Sequence, residues 1–257
     1  VKDYGHKSQV AHVLEHVASG SNGQYPNQMD FESVFTKNGA YHNAMTGMIG
    51  LSYEASCADF EWERILGLMR DQVCHPAIEQ RYFDSELGNV RSELTGNLSI
   101  AGRMLGPAVA QNMGDDNKTY PQFIESLDHI QLDDLIEHHQ QTHTAENMRF
   151  VIAGDFTGKM TKLHRLLDSF DLPAGERFEL PHDQLHSAKP TVIERQDVPG
   201  ITFLACLETL RELTDEEDEA MGALNHILNG TLKSRIYGRA RERGLLYYCS
   251  STTEASK

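Results

Sequence analysis

The sequence predicts a mixed α and β chain in two globular units, on three grounds. Several segments place apolar residues at helical spacing, several short runs are β-branched or aromatic and bounded by turn residues, and a stretch rich in proline and charge interrupts both patterns between Asp171 and Pro190. A length of 257 residues lets each unit bury its own core without a disulfide or structural metal.

SQVAHVLEHVAS, from Ser8 to Ser19, reads as a helix with Ser8 as its N-cap and Gly20 as its stop. After a loop to Asn27, a second helix is expected with Asp30 as cap; Phe31, Val34 and Phe35 share its face and Gly39 ends it. Between Tyr41 and Ala55, the partial alternation of Met48, Ile49, Leu51 and Tyr53 among small and polar residues predicts one or two strands. Asp59 to Val73 returns to helical spacing, and Pro76 opens a further helix that runs to about Leu98. Helices are expected over Met104 to Met113 and Leu132 to His143, a buried strand over Met148 to Ala153, and a helix over Lys159 to Phe170. Beyond the linker, Thr191 to Glu194 and Ile201 to Leu207 read as strands, Asp215 to Leu228 and Leu232 to Arg243 as helices, and Leu245 to Ser251 as a last strand. The expected division is a first unit over 1–172, a linker over 173–190 and a second unit over 191–257.

Composition narrows the function classes. No run approaches the roughly 18 apolar residues of a membrane span, and hydrophobic residues make up only 39% of the chain. A formal net charge of -15 argues against gripping a phosphate backbone by bulk attraction. It suits cationic partners such as basic peptides where the acids line a cavity, and acids that only solvate the surface give the same total. Cys57, Cys74, Cys206 and Cys249 form no CxxC pair, which fits scattered thiols in a reducing compartment such as cytoplasm or mitochondrial matrix. No basic-then-apolar leader follows Val1, so a targeting segment is expected to be absent or to lie outside this sequence.

The chemistry concentrates on the first helix. His12 and His16 are four residues apart, so their imidazoles leave one face a turn apart, with Glu15 beside them. Catalytic zinc takes three protein ligands and leaves one position for a water, from which a nearby carboxylate can draw a proton. Two histidines leave one ligand to find. Glu79, Glu86 and Glu93 recur every seven residues along one stripe of the helix after Pro76, and any of the three could complete such a site. His139 and His143 form another helical pair, but only Glu146, in a loop, offers a further ligand, so a solvated helix face is the expectation there. His42 and His75 have no partner in the sequence; both read as structural, with a substrate contact as the second reading for His42.

HVLEH, from His12 to His16, resembles the inverted HxxEH motif of the pitrilysin-type zinc metallopeptidases (inverzincins), the family of insulin-degrading enzyme and mitochondrial processing peptidase. In that family a third ligand Glu lies well downstream with another Glu seven residues before it, a spacing that SELGNVRSEL matches. The resemblance therefore implies His12, His16 and Glu93 as zinc ligands, Glu15 as general base and Glu86 as the residue behind a ligand. NAMT, from Asn43 to Thr46, resembles the family's edge strand, which implies that Asn43 and Ala44 pair with a peptide laid down as an added strand. RARERGLLYYCSS resembles, more loosely, the segment whose Arg and Tyr grip substrate, which maps to Arg241 and Tyr247.

The resemblance implies an α+β fold: two domains of mostly antiparallel sheet with helices on one face. A strand-rich stretch normally precedes the motif, so the chain is expected to be truncated at both ends with its second domain incomplete. The implied activity is zinc-dependent endoproteolysis of peptides or unfolded polypeptides. The implied partner is a second homologous half or subunit that closes a chamber, a homodimer included. Two other readings stand beside this one: a non-catalytic or structural subunit of a two-subunit processing peptidase, and a helical binding module whose HxxEH is accidental.

Overall fold

The computed structural model describes residues 7–20, 22–25, 27–47, 50–113, 118–178, 190–197, 200–209 and 211–253. Its organising element is helix α1, Val10–Gly20. Val10, Ala11, Val13, Leu14, Val17 and Ala18 are all buried, so this helix is enclosed on most sides, and only His12, Glu15, His16 and Ser19 form a partly open stripe. Ser8, the expected cap, instead brings its hydroxyl to within 3.4 Å of the Ser126 hydroxyl.

Helix α2, Gln28–Thr36, is capped by Asn27 and not by Asp30: the Asn27 side chain accepts from the Asp30 amide at 2.8 Å. Asp30 sits in the first turn, where its charge favours the helix dipole. Phe31 and Phe35 point inward and build a small core with Ala40, Ile65 and Leu68. Asn38 and Gly39 then take φ of 62° and 79°, and this left-handed step turns the chain into a hairpin.

The hairpin consists of β1, Tyr41–Thr46, and β2, Leu51–Ser56, paired antiparallel with Ala44 opposite Tyr53 and Thr46 opposite Leu51. Met48 and Ile49, read from the sequence as part of a strand, lie outside the described residues. Side chains alternate strictly: His42, Ala44 and Thr46 face inward with Leu51, Tyr53 and Ala55, and their neighbours face out. β1 packs against α1.

A short 3-10 turn leads into α3, Trp62–Cys74, and then α4, Gln80–Leu98, begins four residues after Pro76. Phe83, Glu86, Val90, Leu94 and Asn97 form the buried stripe of α4 at helical spacing, and this stripe faces α1. After α5, Ala101–Asn112, comes α6, Tyr120–Ser126, which periodicity did not reveal because seven residues are too few to show one. Its start is a capping box between Thr119 and Gln122. α7, Leu132–Thr142, and the turn before it close the main core: Leu127 and Ile130 of the turn and Leu135 of α7 pack with Val10, Val13, Leu14 and Val17 and with Phe83, Val90 and Leu94. Each such side chain contributes about 1.5–3 kcal/mol on full burial. α8, Met160–Asp168, lies along α3, with Lys159 paired to Asp59 and Lys162 to Glu63.

The expected strands outside the hairpin do not form. Met148–Ala153, Thr191–Glu194, Ile201–Leu207 and Leu245–Ser251 are extended or irregular, and β1 and β2 make the one sheet among the described residues. A strand needs a neighbour to pair its N–H and C=O groups, and none of these segments has one within the described residues. The helices of the second half do form. α9, Asp215–Asn229, starts with a capping box between Thr214 and Glu217, and α10, Tyr237–Glu242, begins later than Leu232. Ser234 to Ile236 are diverted onto the end of α9, where the Ser234 hydroxyl donates to the His226 carbonyl and the Arg235 and Ile236 amides to Ile227 and Leu228. The fold is α+β, with its sheet confined to a two-stranded antiparallel hairpin.

Candidate metal and catalytic site

α1 and α4 pack side by side, and this contact brings His12, His16 and Glu93 together. One ligand atom from each lies within 4.8 Å of the other two. His12 Nε2 is 3.4 Å from Glu93 Oε2 and His16 Nε2 is 3.5 Å from the same oxygen. The two imidazole rings meet edge to face, with centroids 5.0 Å apart.

The far nitrogens determine what the near ones can do. His12 Nδ1 lies 2.9 Å from Gln9 Oε1, an acceptor, and His16 Nδ1 lies 3.1 Å from Glu86 Oε2. Both Nδ1 atoms therefore carry hydrogen and donate, so in the neutral rings both Nε2 atoms hold lone pairs. Two imidazole lone pairs and a carboxylate oxygen then converge on one point. Three acceptors do so stably only around a proton or a cation, and the donor set of two nitrogens and one oxygen is of the kind a divalent metal takes.

Glu86 is buried at 8% exposure and is held by Asn89, whose Nδ2 donates to Glu86 Oε2 at 3.1 Å. Burial pushes the Glu86 carboxyl up, but the hydrogen bonds from His16 and Asn89 outweigh it and bring its pKa below the usual range. His16 feels burial in the opposite sense to the carboxylates around it, and Glu86, Glu15 and Glu93 together raise its pKa. His12 has no Glu86 behind it, and burial followed by the charge of His16 lowers its pKa. The carboxylate behind one ring makes the two histidines unequal.

Glu15 stands on α1 beside the two histidines, partly exposed, and its Oε2 accepts a 2.7 Å hydrogen bond from the Thr46 hydroxyl at the end of β1. Tyr53 is half-buried on the inward face of β2; desolvation of its hydroxyl and the charge of Glu15 raise the pKa of its phenol, which stays neutral. Asn43 and Ala44 lie on β1, the outer edge of the hairpin, where Asn43 is exposed and reaches Glu54 across the strands at 3.4 Å. Glu79, the third member of the sequence stripe, is outside the group: it precedes α4 and pairs with Arg81.

Arg241 and Tyr247 are brought together, with the guanidinium 4.5 Å from the ring centroid and its Nη1 donating to the Tyr247 carbonyl. Among the described residues, no hydrogen bond or ion pair joins them to the His12, His16 and Glu93 group. His42 is structural: it stacks on Phe35 at 4.0 Å and meets Gln72 Oε1 at 3.0 Å. The expected solvated face on α7 is not found. His138 and His143 are 3% and 5% exposed, because α7 turns this side onto the hairpin and α3, where Tyr53 meets His143 Nε2 at 3.0 Å and His139 meets the Val73 carbonyl at 2.8 Å.

Sequence reasoning missed Gln9, Asn89 and the contact of Thr46 with Glu15. The first two carried a signal, since each lies three residues along a helix from the residue it holds. The third had none, because only the docking of the hairpin on α1 creates it.

No individually curated protein matches the chain significantly. Among solved structures it is similar to a protease from Helicobacter pylori, with a TM-score of 0.70 at 15% identity, covering 94% of this chain and 60% of that one. It is also similar to the first half of the periplasmic protease PqqL from Escherichia coli, with a TM-score of 0.56 at 16% identity over 72% of this chain and 41% of that one. For pitrilysin the TM-score is 0.53 at 17% identity, over 69% of this chain and 20% of that one. The chain thus spans about 60% of the length of the Helicobacter protease and less of the others. Residues 6–107 match the family model described as insulinase (peptidase family M16), and residues 129–257 match the one described as peptidase M16 inactive domain. Together with the helical pairing of HVLEH and Glu93, these two matches show that the chain belongs to the pitrilysin-type M16 peptidase family.

Proposed function

We propose that this chain is a zinc-dependent endopeptidase acting on peptides or unfolded polypeptides, with His12, His16 and Glu93 as ligands and Glu15 as general base. The observation that carries the reading is the convergence of two imidazole Nε2 atoms and a carboxylate oxygen within 4.8 Å, with both tautomers already set from behind by Gln9 and Glu86. A zinc ion held by His12, His16 and Glu93 would supply Lewis-acid polarisation of a peptide carbonyl and of the attacking water. Glu15 takes the proton of the attacking water and returns it to the leaving amine, a role that suits a carboxylate beside the ligands but outside the triad. Glu86 orients His16 and supports its basicity as a ligand. The free edge of β1 along Asn43 and Ala44 offers every second residue's backbone N–H and C=O to an extended peptide, so recognition rests on the main chain and tolerates many sequences. Arg241 and Tyr247 would grip substrate only when brought to that edge. A second homologous half or subunit, a homodimer included, closes the chamber.

In this reading catalysis belongs to a unit over 1–172, joined by 173–190 to a second unit over 191–257. Support comes from the packing of Leu127, Ile130 and Leu135 into the α1 core and from the burial of Phe170. A second reading, a non-catalytic subunit that supports an active partner, is favoured by the description of the model matching 129–257 as an inactive domain.

Zinc per chain and peptide cleavage, measured on the wild type, Glu15→Gln and Glu93→Gln, separate the two. The proposal expects near-stoichiometric zinc in the wild type and in Glu15→Gln, loss of zinc in Glu93→Gln, and loss of cleavage in both variants by about 10²-fold or more. Cleavage unaffected by Glu15→Gln, or a reconstituted wild type that holds no zinc, would sink it.

A further inference from the structure

Glu15 could in principle turn its carboxylate through many rotamers, yet the structure ties it to one neighbour. Its Oε2 accepts from the Thr46 hydroxyl at 2.7 Å, and Glu15 Oε1 makes no hydrogen bond among the described residues. An ionised carboxylate can only accept, so Thr46 is the donor. One oxygen is thereby occupied and the other is left to take a proton.

Such a contact orients a base only if the donor itself is held, and β1 is held at several points. Near its start, His42 stacks on Phe35 and meets Gln72, which in turn donates to the Ser19 hydroxyl at 3.1 Å. Across the ladder, Tyr53 stands opposite Ala44, two residues from Leu51, the partner of Thr46. The direction of the Tyr53 bond follows from its surroundings. Thr142 gives its single hydroxyl proton to the His138 carbonyl at 2.6 Å, so its oxygen accepts from His143 Nδ1 at 3.0 Å. His143 Nε2 is then a bare acceptor, and the Tyr53 hydroxyl donates to it at 3.0 Å. A partly buried chain of fixed polarity thus fastens β2 to the C-terminal end of α7, and β2 fastens β1 to its place over α1.

We infer that Thr46 is the positioning residue for Glu15: its hydroxyl, carried on the strand edge that would receive a peptide, holds Oε2 so that Oε1 serves as the proton acceptor. This inference rests on the zinc-peptidase reading above. Substrate ledge and base then form one rigid piece, because the strand that registers the peptide also aims the carboxylate. The benefit is pre-organisation: a general base works within about 2.6–3.2 Å of its proton, and misplacement by about 1 Å costs on the order of 10²-fold. Thr46 is partly exposed, and among the described residues it makes no hydrogen bond to the ligand triad, so the contact through which it can reach the site is the one to Glu15.

The test compares Thr46→Val, which keeps the shape and removes the hydroxyl, with Thr46→Ser, which restores it, and with Glu15→Gln, in the zinc-loaded protein. Zinc per chain, kcat and KM on a fluorogenic peptide, and the conformation of Glu15 in crystals of the zinc form are read for each. The inference expects Thr46→Val to hold zinc as the wild type does, to keep KM within about 2-fold and to lose kcat by roughly 10- to 100-fold with Glu15 in more than one conformer; Thr46→Ser recovers most of the kcat. An unchanged kcat in Thr46→Val while Glu15→Gln is inactive overturns the inference and leaves the base reading standing. So does a rise in KM alone, or a Glu15 that keeps its place without the hydroxyl. If Thr46→Val does not fold, Thr46→Ala carries the same comparison, and a loss of zinc there assigns Thr46 a purely structural role. Full cleavage by Glu15→Gln removes the base reading itself, and the inference with it.

Discussion

Residues 10–143 and residues 190–253 both contain apolar helices and runs, but they differ in what covers them. In the first region Val10, Leu14, Phe31, Phe35 and Leu135 are completely enclosed. In the second, Ile201, Leu207, Leu245 and Tyr247 are between 72% and 98% exposed, and among the described residues beyond Phe170 no hydrophobic side chain is buried. Apolar content alone does not make a core. It does so where the chain supplies a second layer at the right distance, as α4 and α7 do for α1. The site follows the same division: every contact among His12, His16, Glu86, Glu93 and Glu15 is made in the covered region, and Arg241 and Tyr247 lie in the uncovered one.

Paired truncations test that contrast most strongly. Phe31→Ala or Leu14→Ala is expected to cost about 2–5 kcal/mol, whereas Ile201→Ala or Leu207→Ala stays within about 0.5 kcal/mol. Urea titration of each variant provides the check, and a large loss from Ile201→Ala would show that residues 190–253 have a cover of their own.

The polar chain from the hairpin to buried His143 gives the next effect. Tyr53→Phe keeps the ring and leaves His143 Nε2 without its donor, so a loss of about 1–3 kcal/mol is expected. No comparable loss is expected from Tyr247→Phe, because Tyr247 is exposed.

Acid should weaken the same region. Burial, followed by neighbouring histidines, holds the pKa of His143 at about 3, and burial holds that of His138 at about 4. The unfolded chain protonates both near 6.5, so below that pH it binds protons that the folded chain refuses. Stability therefore falls as pH drops from about 6.5 towards 4, and it is unaffected by these groups above 6.5. Urea midpoints across this range should slope less in His143→Gln than in the wild type; equal slopes would mean that His143 is not buried as a neutral ring.

The smallest expected effects concern the helix starts. Asn27→Ala and Thr214→Ala each remove a cap and are expected to cost about 1 kcal/mol of helix stability. In global unfolding the first should register and the second should not, because α9 has no buried side chain through which to report it.

Much of this was legible in the residues. The long helices announced themselves by periodicity, and HVLEH with Glu86 and Glu93 put the ligand candidates on two helices, because helical spacing alone decides that residues four or seven apart share a face. The strand-like runs at Met148–Ala153 and Ile201–Leu207 were legible as composition but not as structure, since pairing depends on a neighbour that local sequence does not encode. His143 looked like a surface residue on a polar helix, and only the approach of Tyr53 from β2 made it a buried acceptor.

By itself, then, the sequence determined which side chains can be ligands and on which helical faces they stand, because those are local properties of a 3.6-residue repeat. Only the tertiary structure decided that α1 and α4 pack with those faces together, that Gln9 and Glu86 turn both Nε2 atoms to Glu93, and that Thr46 reaches Glu15 from another element. Those outcomes depend on distances between segments far apart in the chain, which close packing of the α1 core settles and no short spacing records.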